Sequence, residues 1–353
     1  MRKAVFVLGM HRSGTSALAR VLNILGLQLP KDLLPAKDDN ETGFWETRSV
    51  VQLNEEILGS LGSQWKMAEG IPDAWLESEA CQGFEEKGLA LLQEEYEGNG
   101  PFLIKDPRIC ILAEFWIKVV KQFNASPFAV IISRNPLEIA ASLKTRDDLS
   151  LPHTTLLWLK HVLEAERHTR DIGRCFVTYD QLLEDWETVA AKVATSSELV
   201  WKTNPDEAQK EINLFLSDRH RHHRNTDEET LKGESFPGLL RNGYLAWQAI
   251  QEEDSPANRL LLDKVREEFE FIEQACHSFM REKNAEISHL HMRIKENSAK
   301  AAEEMEKLRE EIRETNENLY YWESKVSKMQ GSFSWKATSP LRWLRRLTMD
   351  RFR

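Results

Sequence analysis

The chain has few cysteines, few chain-breaking residues and no long apolar run. Its four cysteines, Cys81, Cys110, Cys175 and Cys276, stand far apart in 353 residues and form no Cys-x-x-Cys pair. That argues against a disulfide framework and a thiolate zinc site and points to a reducing, cytoplasmic setting. With 16 Gly and 12 Pro, the composition is far from collagen-like or low-complexity chains. No stretch reaches the roughly 18 to 20 apolar residues of a spanning helix, so any membrane contact is expected to be peripheral. Met1-Arg2-Lys3 and the apolar run to Met10 stop at His11 and Arg12, too soon for a signal sequence, and read as a strand. Positive charge is scarce as well. Against 57 Asp and Glu stand 47 Lys and Arg, net −10, which speaks against a general nucleic-acid binder. The deficit is uneven: residues 331–353 carry six basic residues and one acidic, and the rest holds 41 basic against 56 acidic. A basic end on an acidic chain suggests a separate purpose for that end.

What is present divides by pattern. Ala4–Leu8 is a β-branched apolar run that reads as a buried strand; Gly9-Met10-His11-Arg12-Ser13-Gly14-Thr15-Ser16 follows at once, and Ala17–Gly26 has helical spacing with a glycine stop. Phe102–Lys105, Phe128–Ser133 and Cys175–Tyr179 are further short apolar runs, separated by helical patterns such as Thr155–Thr169. Strands spaced by helices predict an α/β fold with a mainly parallel central sheet flanked by helices, over residues 1–250. Trp65, Trp75, Trp116, Trp158, Trp186 and Trp201 read as core and helix-packing residues.

After a linker at 251–260 the composition changes. Gly and Pro vanish from 261 until Gly331, while Met305, Leu308, Ile312, Thr315, Leu319, Trp322, Val326 and Met329 alternate steps of three and four. This heptad seam continues back less regularly through Ala301, Ile294 and Ile287. It predicts a coiled coil over 261–330 that self-associates over 287–329; the competing reading is one charged helix lying on the core. In the tail, 331–353, Leu341, Leu344, Leu347 and Phe352 fall on one side of a helix begun at Pro340, with Arg342, Arg346 and Arg353 on the other. Such a segment suits an anionic membrane surface; a frayed terminus is the alternative.

Gly9–Ser16 has the glycine, four residues, glycine frame of a nucleotide-triphosphate loop, but Thr15 stands where a lysine would reach the β and γ phosphates. ATP or GTP is thereby disfavoured. N–H groups at a helix start, the hydroxyls of Ser13, Thr15 and Ser16, and the Arg12 cation still suit an anion. A second motif follows the strand Phe128–Ser133: Arg134-Asn135-Pro136, then Ser142 eight residues beyond Arg134. Together the two motifs resemble the sulfotransferase family. Gly43-Phe44-Trp45-Glu46, Asn54, Lys105-Asp106-Pro107-Arg108 and Thr178-Tyr179-Asp180-Gln181-Leu182-Leu183 are similar to segments of its bacterial members, so the likeness spans most of the first 250 residues. Gln181 departs from the family pattern, which has an acid there. The string Ser332–Arg342 resembles a C-terminal element of bacterial surface-polysaccharide enzymes.

The resemblance implies 3′-phosphoadenosine 5′-phosphosulfate (PAPS) as sulfuryl donor, held by His11, Arg12, Ser13, Gly14, Thr15 and Ser16, with Arg134 and Ser142 on the 3′-phosphate and Tyr179 nearby. It implies a hydroxyl or amine of a glycan, lipid-linked glycans included, as acceptor, in surface polysaccharide or lipopolysaccharide synthesis on the inner membrane; a protein tyrosine stays open behind sugar hydroxyl and amino sugar. No metal is expected, because a sulfuryl group carries less charge than a phosphoryl group and the loop with Arg12 can neutralise the leaving phosphate. Glu46 is the first candidate base, although a Glu opening a helix can equally be a dipole partner. Asp106 is the reserve, flanked by Lys105 and Arg108, cations that favour its charged form and weaken it as a base; Lys105 is expected to stabilise the sulfuryl oxygens. The imidazoles within Arg219–Arg224 lack ligand spacing and read as a solvated loop or a basic cap, and Lys232-Gly233 resembles a lid pair. Acceptor specificity is assigned to the loops Gln64–Gly100 and Asp147–Thr155. Two other functions stay open: a nucleotide-dependent kinase with Phe102–Asp106 as a degenerate Walker B strand, and a non-catalytic coiled-coil assembly factor.

Overall fold

The computed structural model describes residues 2–35, 43–67, 70–216 and 238–349. Strands β1 (Arg2–Leu8), β2 (Phe102–Lys105), β3 (Ala125–Ser133) and β4 (Gly173–Thr178) form one sheet in the order β2-β1-β3-β4, every pair parallel. Parallel neighbours need helical crossovers, and the chain supplies them. Helices α1 (Thr15–Ile24), α2 (Arg48–Ser60) and α3 (Glu79–Glu95) lie between β1 and β2, α4 (Ala113–Gln122) between β2 and β3, and α5 (Pro136–Asp147) with α6 (Leu151–His168) between β3 and β4. Then come α7 (Tyr179–Glu184), α8 (Trp186–Ser197), α9 (Pro205–Phe215), α10 (Gly238–Glu252), α11 (Pro256–Gly331), α12 (Phe333–Ala337) and α13 (Ser339–Met349).

The period of two along β1 sorts its side chains between two cores. Ala4, Phe6 and Leu8 join one apolar cluster with residues of α4, α6 and α10, while Val5 and Val7 join another with residues of α1, α8 and α9. A sheet covered on both faces requires strands that are apolar throughout, which is why these runs do not alternate with polar residues. Trp75, Trp116, Trp158 and Trp186 are buried, and Trp65 and Trp201 pack at the margins. Four strand boundaries differ from the sequence pattern: β1, β3 and β4 start earlier, at Arg2, Ala125 and Gly173, and Tyr179 opens α7 rather than closing β4.

The chain divides into two compact units, Met1–Ala275 and Cys276–Arg353. Leu262, Val265 and Phe269 of α11 are buried in the core, so the first unit extends into the helix that the sequence pattern assigns to the coil. An ion-pair cluster accompanies this packing. Fully buried Glu166 accepts from Arg170 at 2.7 Å, Arg174 at 3.0 Å and Arg266 at 3.1 Å. No helix among the described residues is long and apolar enough to cross a membrane.

Candidate anion-binding and transfer site

The site forms at the carboxyl ends of the strands, where open parallel sheets gather their loops. Between β1 and α1 the loop is shaped by two glycines. A Cβ on Gly9 would stand 2.5 Å from the Ile132 carbonyl oxygen. Gly14 has φ +92° and would place a Cβ 2.2 Å from the Tyr179 ring, so neither position accepts a side chain. Arg12 also takes a left-handed backbone, φ 69°, and Ser13 N–H donates to Met10 O at 3.1 Å. The Gly9 N–H donates to the buried Cys110 Sγ at 3.1 Å, fixing the start of the loop. Helix α1 has no side-chain cap and no acidic residue in its first turn. Its leading N–H groups and positive dipole end therefore keep their affinity for an anion.

The two sequence motifs meet here. Arg12 Nε donates to Ser142 Oγ at 2.7 Å, joining the loop to α5. Asn135 caps α5 by accepting from Leu137 N–H at 3.0 Å, and Pro136 sits in the first turn, so Arg134 is left at the mouth of the site. Arg134 donates to Glu138 at 2.7 Å and lies 5.0 Å from the centre of the Tyr179 ring. Gln181 has a local explanation. Its side chain accepts from Thr178 N–H at 3.0 Å while its own N–H donates to Thr178 Oγ1 at 3.0 Å, a reciprocal cap that fixes Tyr179 at the start of α7.

A second cluster stands on the β2 side. Lys105 Nζ donates to Glu46 Oε1 at 2.5 Å, to Phe44 O at 3.0 Å and to Ser16 Oγ at 3.2 Å. Ser16 in turn donates to Phe44 O at 3.1 Å. The cation absent from position 15 of the loop is thus supplied from the neighbouring strand, at the loop's last hydroxyl. Trp45, between Phe44 and Glu46, has φ 56°, an uncommon backbone for a bulky residue, and this turn directs the Phe44 carbonyl and the Glu46 carboxylate to one ammonium. Burial raises the Glu46 pKa above the usual carboxylate range, with the Lys105 charge opposing the shift.

Asp106 faces elsewhere and is fully engaged. One oxygen accepts from Asn54 at 2.8 Å; the other accepts from the Arg108 N–H at 3.1 Å and guanidinium at 2.9 Å. Trp116 donates to Asn54 at 2.8 Å and Arg108 pairs with Glu55 at 2.5 Å, so Asp106 anchors a buried network. His11 packs on Trp65 with ring centroids 4.1 Å apart and planes tilted by 42°, and its Nε2 is buried without a hydrogen-bond partner. Burial, then the charges of Arg108 and Arg146, push its pKa well below the ordinary imidazole value. Thus His11, Arg12, Ser13, Gly14, Thr15, Ser16, Arg134, Ser142 and Tyr179 gather about one loop, Glu46 and Lys105 form a pair beside it, and Asp106 lies in the supporting layer. Sequence reasoning missed the role of the Phe44 carbonyl, a backbone group inside the quoted Gly43–Glu46 segment, Cys110, which carries no motif signal, and Glu138, whose spacing of four from Arg134 was visible. Among the described residues no group of three or more His, Cys, Asp or Glu could hold a metal ion. Arg219–Arg224 and Lys232-Gly233 lie outside the described residues.

No family model and no curated protein matches the chain. Among solved structures it is similar to a sulfotransferase domain from the Synechococcus PCC 7002 olefin synthase, 16% identical over 76% of this chain and 94% of that one, TM-score 0.38. It is also similar to a sulfotransferase domain from the curacin biosynthetic pathway, 12% identical over 75% of this chain and 98% of that one, TM-score 0.37. A third is mouse sulfotransferase SULT7A1 complexed with PAP, 16% identical over 75% of this chain and 89% of that one, TM-score 0.33.

Proposed function

We propose that the chain is a sulfotransferase that moves a sulfuryl group from PAPS to a hydroxyl of a glycan acceptor. The observation that carries this reading is the 2.7 Å bond from Arg12 to Ser142, which joins a lysine-less phosphate loop to the Arg134 motif. The residues fit the donor: an uncapped helix start with no acid suits the 5′-phosphate, and Arg12, Ser142 and Arg134 suit the 3′-phosphate. When bound, PAPS supplies an activated sulfuryl group whose S–O bond to the 5′-phosphate breaks as the acceptor oxygen bonds to sulfur.

The chain's own residues account for the rest of the chemistry. Glu46, its pKa raised by burial, takes the acceptor hydroxyl proton and passes it to solvent. Lys105, released from Glu46 as that carboxylate takes up its proton, turns its ammonium to the charge developing on the bridging oxygen. Ser16 relays the position of Lys105 to the loop. Helix α13 supports work at an anionic membrane surface: Leu341 and Leu344 are exposed on one face and Arg342 lies off it. Liposome flotation with and without residues 331–353 tests that placement, and equal recovery on anionic lipid overturns it.

The central test is binding of adenosine 3′,5′-bisphosphate, the desulfated product, to the full chain by calorimetry. Binding is expected in the wild type and lost in Arg12→Ala and Arg134→Ala. Normal binding in both variants overturns the donor site.

A further inference from the structure

Helix α11 carries an apolar stripe that calls for a partner. From Ile287 through Leu308 and Ile312 to Met329, the large apolar members of the heptad seam are between 43% and 61% exposed along about 63 Å of helix. Such a stripe on a charged helix needs a surface of like length to cover it. Before residue 276, the exposed large apolar side chains among the described residues are Val200, Leu214 and Leu245, one each on a loop, α9 and α10, and the rest lie on α11 itself. Single residues on three elements do not make a second stripe. The same heptad phase on another copy does.

Charge along the helix is placed as a paired helix requires. With Met305 at position a of the heptad, no charged residue from 303 to 329 falls on a or d, so the seam itself is free of charge. In a parallel pair in register, each g residue faces the next e residue of the other copy. Glu304 then meets Arg309, while Glu311 meets Asn316, Asn318 meets Glu323 and Lys325 meets Gln330. An opposite-charge contact arises, repeated by symmetry, and no like-charged one opposes it.

The polar members of the seam fix the register. Thr315, Ser298 and His291 occupy a or d positions, and in register each meets its own copy, so no apolar side chain is set against a polar one. A slip of one heptad sets Thr315 against Leu308 and Trp322, and Ser298 against Met305. Reversing one copy about the middle of the regular seam sets Thr315 against Leu319 and leaves Ile287 and Ile294 past the end of the facing helix at Gly331. Only the parallel pair in register covers the whole stripe, like against like.

We propose that a second copy of this chain covers the stripe, in a parallel, in-register two-stranded coiled coil over 287–329. Pairing is independent of the sulfuryl-transfer reading and stands or falls without it. Sedimentation of the full chain at micromolar concentration is expected to give twice 40.9 kDa. Leu308→Glu with Ile312→Glu brings carboxylates together in the seam and is expected to halve that mass. Glu310→Ala with Glu317→Ala, at outer f positions of the same helix, is expected to leave it paired, which separates loss of the seam from loss of the helix. A monomeric wild type, a seam variant that stays paired, or an outer-face variant that dissociates overturns the coil. Met329→Cys, made with Cys276→Ser, tests direction: a parallel d layer brings the two thiols within reach, and mild oxidation is expected to join two copies through a reducible bond, since Cys81, Cys110 and Cys175 are buried. Failure to cross-link overturns the parallel register.

Discussion

The two units treat the same kinds of residue in opposite ways. In Met1–Ala275 the largest side chains, Trp116, Trp158 and Trp247 among them, are enclosed, and buried charges such as Lys105, Glu46 and Glu166 are paired with opposite charges. In Cys276–Arg353, Leu308, Ile312, Leu319 and Trp322 stand in solvent, and the ion pairs are surface contacts three or four residues apart, such as Lys307 with Glu303 and Arg313 with Glu310. Exposed pairs of that kind contribute a few tenths of a kcal/mol at most. Pairs such as Lys105 with Glu46, or the arginines around Glu166, are different, because removing one member strands the other in a medium of low polarity. The first unit therefore closes on itself and builds a site. The second leaves its apolar seam exposed.

That contrast breaks most sharply at the Lys105–Glu46 pair. Glu46→Gln keeps the shape and removes the proposed base, and is expected to lower kcat by roughly 10² to 10⁴ without altering the sedimenting mass. Because burial raises the Glu46 pKa, wild-type kcat should climb with pH through a value above the normal carboxylate range, and the variant should lose that limb. An unchanged rate in Glu46→Gln removes Glu46 from the mechanism. Next in size is Glu166→Ala, which leaves Arg170, Arg174 and Arg266 without their shared carboxylate. Urea unfolding should show a loss of about 3 to 5 kcal/mol. A loss under 1 kcal/mol would show that the cluster adds nothing beyond its neighbours.

A pH experiment probes the same closed interior. Burial pushes His161 down to about 4, despite the Leu157 carbonyl that favours its charged form. The unfolded chain, with an imidazole near 6.5, binds the proton more readily. Stability from this group is therefore complete above pH 6.5 and is lost as pH falls toward 4, about 3 kcal/mol in all. Urea midpoints at pH 7 and pH 4.5 should differ less in His161→Gln than in the wild type by that order, and equal differences would mean that His161 titrates normally.

How much of this was legible depends on the range of each interaction. The strands were readable because burial on two faces writes an apolar run into adjacent positions. The early start of β3 was not, since Pro127 breaks the pattern just before the apolar run that begins at Phe128. Pro127 pairs only with Ala4 of β1, and the β4 ladder begins one residue later, so the proline falls where no neighbour needs its missing N–H. Arg12 and Arg134 could be named in advance because each follows a strand end in a local motif, and Ser142 because of its spacing of eight from Arg134 on the next helix. The Lys105–Glu46 bond spans 59 positions and depends on the left-handed turn at Trp45, which no spacing rule reports. The roles of Asp106 and Lys105 separate for a plainer reason: Asp106 leaves β2 to cap the short turn Pro107–Cys110 and is enclosed by Asn54 and Arg108.

The smallest predicted effect sharpens the comparison from the open side. Thr315 is the one polar member of the regular seam from Met305 to Met329, and its hydroxyl donates to the Glu311 carbonyl at 2.8 Å within its own helix. The hydroxyl is therefore satisfied without a partner chain, and replacing it strands no donor across the seam. Thr315→Leu exchanges that internal bond for apolar surface at a position where two copies would meet. Burying a leucine side chain yields about 1.5 to 3 kcal/mol, part of which is offset by the threonine methyl already there, so association should tighten by about tenfold. Concentration-dependent sedimentation measures it. The same substitution in a helix that lies alone would add exposed apolar surface and leave the mass unchanged at every concentration, and the seam would then have to be reassigned to a different partner.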